Sequence, residues 1–161
     1  MTDLVVTWYL ADPSSKLPVR ATKGSAGYDL FSCKNVTVPP FESVLVPTGI
    51  KLCMQSTKPG YLAEAQVRPR SGLALKHGIT VLNTPGTIDC DYEGEIGVVL
   101  YNTRGSEFEI GIGDRIAQLV FNLVPIPYRE HVTKNPEEFE LQMAVNRSIR
   151  GNGGFGSTGE S

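Results

Sequence analysis

An all-β fold of the jelly-roll β-barrel type, with one short helix, is predicted by three features of the sequence. Short apolar or alternating segments recur along most of its 161 residues. Its 17 glycines and 11 prolines punctuate those segments without a fixed period. Only one stretch carries a helical signature. Many short strands separated by turn signals make a sandwich or a barrel.

Each element follows from local pattern. Leu4–Leu10 is rich in β-branched and aromatic residues, so it reads as a strand. Val44–Val46 and Ile50–Leu52 read as two short pieces split by the turn signal Pro47-Thr48-Gly49. In Tyr61–Val67, Tyr61, Ala63, Ala65 and Val67 share one side, and Glu64 and Gln66 the other. A short helical turn fits Leu73–Lys76. Thr87–Tyr92 and Ile96–Leu100 flank the pair Glu93-Gly94, where glycine can supply φ > 0, which predicts a β-hairpin. Phe108, Ile110 and Ile112 alternate with Glu107, Glu109 and Gly111, whereas Ile96–Tyr101 and Ile116–Val124 read as nearly continuous buried strands. Pro136–Val145 is the predicted helix. Pro136 suits its first turn, and Glu137 and Glu138 complement the dipole.

Composition narrows the function classes. Fifteen Lys and Arg against 17 Asp and Glu give a formal charge of −2, without the basic excess of a general nucleic-acid binder. No apolar run approaches the roughly 18 residues of a membrane span, and the start MTDLVV has no signal-peptide pattern. A cytoplasmic location, or a host-cell interior for a viral protein, is expected. Cys33, Cys53 and Cys90 are odd in number and widely spaced, which argues against a disulfide framework and a Cys-rich zinc site. His77 and His131 are too isolated for metal ligands.

Three groups of residues bear on chemistry. Asp89 and Asp91 would face one side of a regular strand, though the turn that follows makes strict alternation unreliable; spacing alone favours turn-stabilising or salt-bridged carboxylates over a general base beside an orienting partner. Arg68-Pro69-Arg70-Ser71-Gly72 sets cations beside a Ser-Gly step. The nucleophile elbow G-x-S-x-G is missing, so anion binding through Arg70, Ser71 and Gly72 stands against a plain surface turn. The tail Arg150–Gly159 is glycine-rich, but it lacks the lysine and the following helix of a Walker A loop. It is either a disordered tail or a mobile arm, with Phe155 stacking on a flat group and Arg150 meeting an anion.

Together these segments resemble the trimeric deoxyuridine triphosphatases (dUTPases). Five motifs of that family stand in order: Ala26–Ser32, Pro69–Ala74, Gly86–Gly97 with its Ile-Asp-x-Asp-Tyr core, Gly113–Leu119, and the tail Arg150–Gly159. The resemblance implies hydrolysis of dUTP to dUMP and pyrophosphate on a jelly-roll homotrimer with shared active sites. Such an enzyme keeps uracil out of DNA and supplies dUMP for dTTP synthesis. Asp89 would orient and activate the attacking water, since a carboxylate of ordinary pKa, about 4, is ionised at neutral pH. Arg70, Ser71, Gly72 and Gln118 would bind the triphosphate. Mg²⁺ would be held mainly by phosphates, with Asp29 near it through a water.

The same resemblance implies the selectivity. The backbone around Gly86, Thr87, Ile88 and Gly97, with Asn83 nearby, would pair with the uracil edge and reject cytosine. Tyr92 would pack under the deoxyribose and exclude a 2′-hydroxyl. Residues 1–149 would form the jelly-roll domain and 150–161 the arm. The arm would close over a neighbouring subunit's site, with Phe155 on the uracil and Arg150, Gly156, Ser157 and Thr158 at the phosphates. Between Val124 and Arg150 the chain is longer than in compact members of the family. The alternatives are a dCTP deaminase-like enzyme of the same fold, or a non-catalytic jelly-roll trimer acting as a binding module.

Overall fold

The computed structural model describes residues 3–127 and 132–145. The chain divides into two compact units, residues 1–126 and 127–161. In chain order the first unit holds β1 (Leu4–Leu10), β2 (Tyr28–Phe31), β3 (Val36–Val38), β4 (Ser43–Ser56) and β5 (Tyr61–Arg68). Helix α1 (Ser71–His77) comes next, then β6 (Ile79–Val81), β7 (Gly86–Asp89), β8 (Glu95–Asn102), β9 (Phe108–Ile110) and β10 (Arg115–Pro125). Helix α2 (Pro136–Val145) belongs to the second unit.

Two four-stranded sheets, ordered β1-β4-β8-β6 and β2-β10-β5-β7, carry the fold, with β3 and β9 as a separate pair. Every named pairing is antiparallel. The all-β jelly-roll expectation holds. The core is drawn from both large sheets, through Val46, Ile50, Val98 and Leu100 on one and Ala65, Val67, Ile116 and Leu119 on the other. Alternation is the cause: along β5, Ala63, Ala65 and Val67 are buried while Glu64, Gln66 and Arg68 are only half-buried. Trp8, Tyr28 and Phe121 add an aromatic cluster, with ring centroids 5.5–6.2 Å apart.

Buried polar groups are paired. Asn102, fully buried, donates through Nδ2 to the carbonyls of Val38 (3.1 Å) and Ser106 (2.7 Å), and its Oδ1 accepts from the Arg104 amide. Among the described residues no buried side-chain nitrogen or oxygen lacks a partner. The three cysteines are free. Burial pushes the Cys33 thiol above its ordinary pKa.

Four sequence readings need correction. The turn expected at Pro47-Thr48-Gly49 is a bulge inside one 14-residue strand, β4. Thr48 is fully buried and donates to the Ile96 carbonyl at 2.6 Å, while Glu95 Oε1 accepts the Gly49 amide at 2.7 Å. Neighbouring β8 thus absorbs the break, and Gly49 takes φ 66° at the irregular step.

The predicted hairpin is not one either. β7 pairs with β5 in one sheet, whereas β8 pairs with β4 and β6 in the other. A turn closed by the Tyr92 amide on the Asp89 carbonyl (3.2 Å) carries the chain between sheets, with Cys90 packed against the core. The segment ending at Ile112 stops at Ile110, because Gly113 with φ 86° turns the backbone there. Finally, the helical turn at Leu73–Lys76 is a seven-residue helix, so two helices stand where one was expected. Gly78 closes it in the left-handed region, φ 69°.

Helix α2 has the predicted bounds. Asn135 caps it, its Oδ1 accepting the Glu137 amide at 3.0 Å while its carbonyl accepts Phe139 N–H at 3.1 Å.

Candidate functional site

Three elements meet around Asp29: β2, β10 and the start of α1. Its carboxylate, on β2, accepts from Arg70 Nε at 3.1 Å and from Arg115 Nη1 at 3.3 Å, one guanidinium on each oxygen. Arg70 is the extended residue that precedes α1, and its Nη1 also donates to the Arg115 carbonyl at 3.2 Å. Gln118 lies directly opposite Asp29 in the β2–β10 register, and its Nε2 donates to the Pro69 carbonyl at 3.0 Å. Gly27 makes room for it: a Cβ there would overlap Gln118 Oε1 and lie 3.1 Å from its Cβ. Ser71 and Gly72 are the exposed first residues of α1, and a Cβ on Gly72 would meet open space. Two cations thus surround the one Asp29 carboxylate, and Asp114 lines the cavity beside Arg70 and Arg115.

Arg115 was not singled out as a site residue by sequence, though it stands in the fourth motif. Regular alternation would turn it to the core with Ala117. The β10–β2 register instead slips between Arg115 and Ala117, so Ile116 and Ala117 are both buried and Arg115 joins Gln118 and Asp29 on the outer face. Two successive apolar residues after an arginine were the signal available in the sequence.

A second group forms around Asp89. A cavity of about 250 Å³ is lined by Thr87, Ile88, Asp89, Tyr92, Glu95 and Gly97, among others. Asp89 is the exposed last residue of β7. The Tyr92 hydroxyl donates to the Glu95 carbonyl at 3.0 Å, and Gly94 leaves the space the ring occupies, since a Cβ there would overlap its hydroxyl. Gly86 opens β7 where a Cβ would lie 3.2 Å from Asn83 Nδ2 and 3.4 Å from Val67 Cβ, so Asn83 borders the start of the same strand. A Cβ on Gly97 would lie 2.7 Å from Leu45 Cδ1. Asp91 does not join Asp89: it lines a different cavity with Tyr9 and Cys53, and Tyr92 borders both. Glu95 reaches the Asp89 cavity, with one oxygen committed to the Gly49 amide.

The two groups share a sheet but stand apart. Asp29, Gln118 and Arg68 lie side by side on β2, β10 and β5, while Asp89 on β7 pairs with Glu64, four residues along β5 from Arg68. Three strand spacings and four residues put the Asp29 and Asp89 Cα atoms about 20 Å apart. Within one copy, Asp89 and Arg70 do not converge on one atom. Arg150, Phe155, Gly156, Ser157 and Thr158 lie outside the described residues, as does His131. His77 is exposed, its ring 5.2 Å from that of Phe108. Among the described residues no group of three or more His, Cys, Asp or Glu is arranged to hold a metal ion. None of their helices is long and apolar enough to cross a membrane.

Similar proteins fit this picture. Residues 14–159 match the dUTPase family profile. The deoxyuridine 5'-triphosphate nucleotidohydrolase of Wolinella succinogenes is 46% identical over 149 residues, 92% of this chain and 90% of its own. That of Hydrogenobaculum sp. is 52% identical over 144 residues, 89% of this chain and 90% of its own. A mutant dUTPase of Staphylococcus bacteriophage 80alpha, solved with dUpNHpp, superposes with a TM-score of 0.77. That match covers 97% of this chain and 99% of the phage chain at 24% identity, a likeness of fold. A mutant dUTPase of phage phi11 of S. aureus, solved with a structural Mg(II) ion, gives 0.69 over 82% of this chain and 99% of its own at 23% identity. By the profile match and the identity to its relatives, the chain belongs to the dUTPase family.

Proposed function

We propose that the protein hydrolyses dUTP to dUMP and pyrophosphate. The observation that carries this reading is the single cavity in which Asp89, Tyr92, the Thr87-Ile88 edge and Gly97 meet, in a chain of the dUTPase family. Asp89 accepts a hydrogen bond from a water and takes its proton as the oxygen attacks the α-phosphorus. The bond from that phosphorus to the bridging oxygen breaks, and pyrophosphate leaves. The backbone of Gly86, Thr87 and Ile88, with Gly97 and Asn83, pairs with uracil, and Tyr92 packs against the deoxyribose. Cytosine would leave those fixed donors and acceptors unpaired. Arg70, Ser71, Gly72 and Gln118 bind the phosphates.

The site is shared between copies of a homotrimer, a reading supported by the distance between the Asp29 group and Asp89. The arm of residues 150–161 closes over it, with Phe155 on the base and Arg150, Gly156, Ser157 and Thr158 at the phosphates. Asp29 would hold a magnesium ion through water: each of its oxygens accepts from an arginine, and the lone pair each keeps can accept a hydrogen bond from a metal-bound water. When bound, that ion would neutralise part of the triphosphate charge. A nucleotide substrate implies work in the cytoplasm, or in a host-cell interior if the protein is viral.

The test is pyrophosphate release from dUTP, dCTP, dTTP and UTP with magnesium, wild type beside Asp89→Asn. Release from dUTP alone is expected, with kcat falling by roughly 10²–10⁴ in the variant, the usual worth of a general base. Comparable release from dCTP, or none from any nucleotide, overturns the reading.

A further inference from the structure

The opening of β8 is held differently from the rest of that strand. Glu95, Ile96 and Gly97 border the Asp89 cavity. On one side β6 ends at Val81, and the Leu82 amide makes the last contact, donating to the Val99 carbonyl at 2.8 Å. On the other side β4 leaves register. Pro47 lies opposite Gly97 and Lys51 opposite Glu95, so four steps along β4 span two along β8. Pro47 has no N–H to donate, and its carbonyl turns elsewhere, to the Cys33 amide at 3.1 Å. Side chains reinforce the pairing at this break. Thr48 Oγ1 donates to the Ile96 carbonyl at 2.6 Å, and Glu95 Oε1 accepts the Gly49 amide at 2.7 Å.

A pair that cannot exchange bonds is of the non-hydrogen-bonded kind, in which each residue's own N–H and C=O point away from the partner strand. Val99, two residues on, has the same parity, since its carbonyl faces the β6 side. Gly97 therefore presents its backbone on the side of β8 where β6 has ended, and it lines the Asp89 cavity. The Gly97 N–H shares one planar trans peptide with the Ile96 carbonyl, so the two point in opposite directions. Holding the Ile96 oxygen toward β4 aims the Gly97 N–H away from it. Thr48 supplies that hold from a fully buried position, where its Oγ1 also accepts the Ile50 amide at 3.2 Å. The bulge is anchored in turn by residues ahead of β2: the Ala11 amide and Ser15 Oγ donate to the Gly49 carbonyl at 2.7 and 2.9 Å.

We propose that Thr48 is a positioning residue for base selection, fixing the Gly97 N–H through the Ile96–Gly97 peptide, with Glu95 as a second tie between the bulge and β8. The proposal rests on the dUTP reading for its ligand. A fixed N–H matches a ring carbonyl of uracil; where cytosine carries its amino group instead, donor meets donor. A peptide free to tilt relieves that mismatch, and discrimination falls. Thr48→Val preserves the shape of the side chain but sets a methyl where the hydroxyl stood. Carbon needs about 3.3 Å from a carbonyl oxygen, against 2.6 Å here, so the peptide has to turn. Thr48→Ser keeps the hydroxyl and gives up only the methyl.

The experiment compares dUTP and dCTP hydrolysis by the full-length wild type, Thr48→Val and Thr48→Ser, with a thermal melt of each. In Thr48→Val the preference for dUTP in kcat/KM should fall about tenfold, the worth of one hydrogen bond, through a raised KM for dUTP. Thr48→Ser should keep the preference even as its lost methyl lowers the melting temperature. A lowered melt with the preference intact in Thr48→Val, or KM raised equally for both nucleotides, makes Thr48 a stabilising residue only and overturns the proposal. An equal loss of preference in Thr48→Ser also overturns it, since the hydroxyl is then not the cause. Should Thr48→Val not fold, Glu95→Ala cuts the exposed tie instead, with Glu95→Gln, which keeps the acceptor, as its control. The same fall is expected in Glu95→Ala alone, and an intact preference there overturns the proposal. Failure of the dUTP reading shows separately, as wild-type protein that hydrolyses dCTP as readily as dUTP, or neither.

Discussion

Asp29 and Asp89 lie on one sheet, with β8 of the other sheet closing the Asp89 cavity, yet different forces hold their surroundings. Around Asp29 the contacts are between charged side chains from β2, β10 and the residue before α1. Around Asp89 the shape comes from backbone: a turn closed on the Asp89 carbonyl, a glycine that yields space to the Tyr92 ring, and a carbonyl that receives its hydroxyl. A charge-built site gathers an anion from a distance and weakens with salt. A backbone-built site is insensitive to salt, and it discriminates through donors and acceptors that cannot move. The two are suited to the two ends of a nucleoside triphosphate.

That division can be broken most decisively by separating the halves genetically. Asp89→Asn and Arg70→Ala should each be nearly inactive alone. In co-refolded mixtures about a quarter of sites should regain both intact residues, one half times one half, if each site draws Asp89 and Arg70 from different copies. Recovery of activity on mixing supports the shared site, and mixtures as inactive as their components place both residues in one copy.

Smaller effects sharpen the contrast. Gly94→Ala drives a methyl into the rigid Tyr92 ring. We expect the preference for dUTP over UTP to fall about tenfold, as a displaced ring no longer excludes the 2′-hydroxyl. Gly27→Ala meets the end of the flexible Gln118 instead. There KM for dUTP should rise about three- to tenfold, the worth of one hydrogen bond, with base and sugar selectivity retained. Competition kinetics with both nucleotides separates these outcomes, and a selectivity loss in Gly27→Ala would contradict the division.

The smallest effect lies outside both regions. Asp12 and Lys34 form an exposed ion pair at 2.7 Å. The Lys34 ammonium holds the Asp12 carboxyl below its ordinary value, and the same contact raises the lysine. A lowered carboxylate pKa contributes stability that is present above the unfolded value and lost as pH falls through the folded one. Thermal melts of Lys34→Ala should therefore match wild type closely at pH 7 in physiological salt. Any small difference should begin to fade below about pH 4, where the unfolded carboxylate protonates, and vanish once the folded carboxyl, held lower, protonates too.

How much of this was legible in the sequence differs by element. β1, β5 and α2 were readable with near-correct bounds, because their patterns are local: β-branched runs, alternation, and a proline with acids in a first turn. β2 carries no readable strand pattern, although its residues lie within the first motif. Four residues are too few for periodicity to register. Asp89, Tyr92 and Gly97 were named from motif resemblance and do share a cavity. Strand parity couples Asp91 to Asp89 in the sequence, and the turn after β7 breaks that parity. The sequence does not mark Arg115, because its orientation depends on a bulge, which exists only against a partner strand.

The sequence by itself determined the fold class, most strand positions and the residue types of the site, since burial pattern and turn chemistry are properties of neighbours along the chain. The tertiary structure alone decided three things. It made Pro47-Thr48-Gly49 a bulge, sent β7 and β8 to different sheets, and turned Arg115 outward to share Asp29 with Arg70. Each depends on hydrogen bonds from residues far away in sequence: Thr48 to Ile96, β7 to β5, and Arg70 to Asp29 across 41 positions. Local pattern carries no record of such partners, because they exist only once the sheets have closed on their common core.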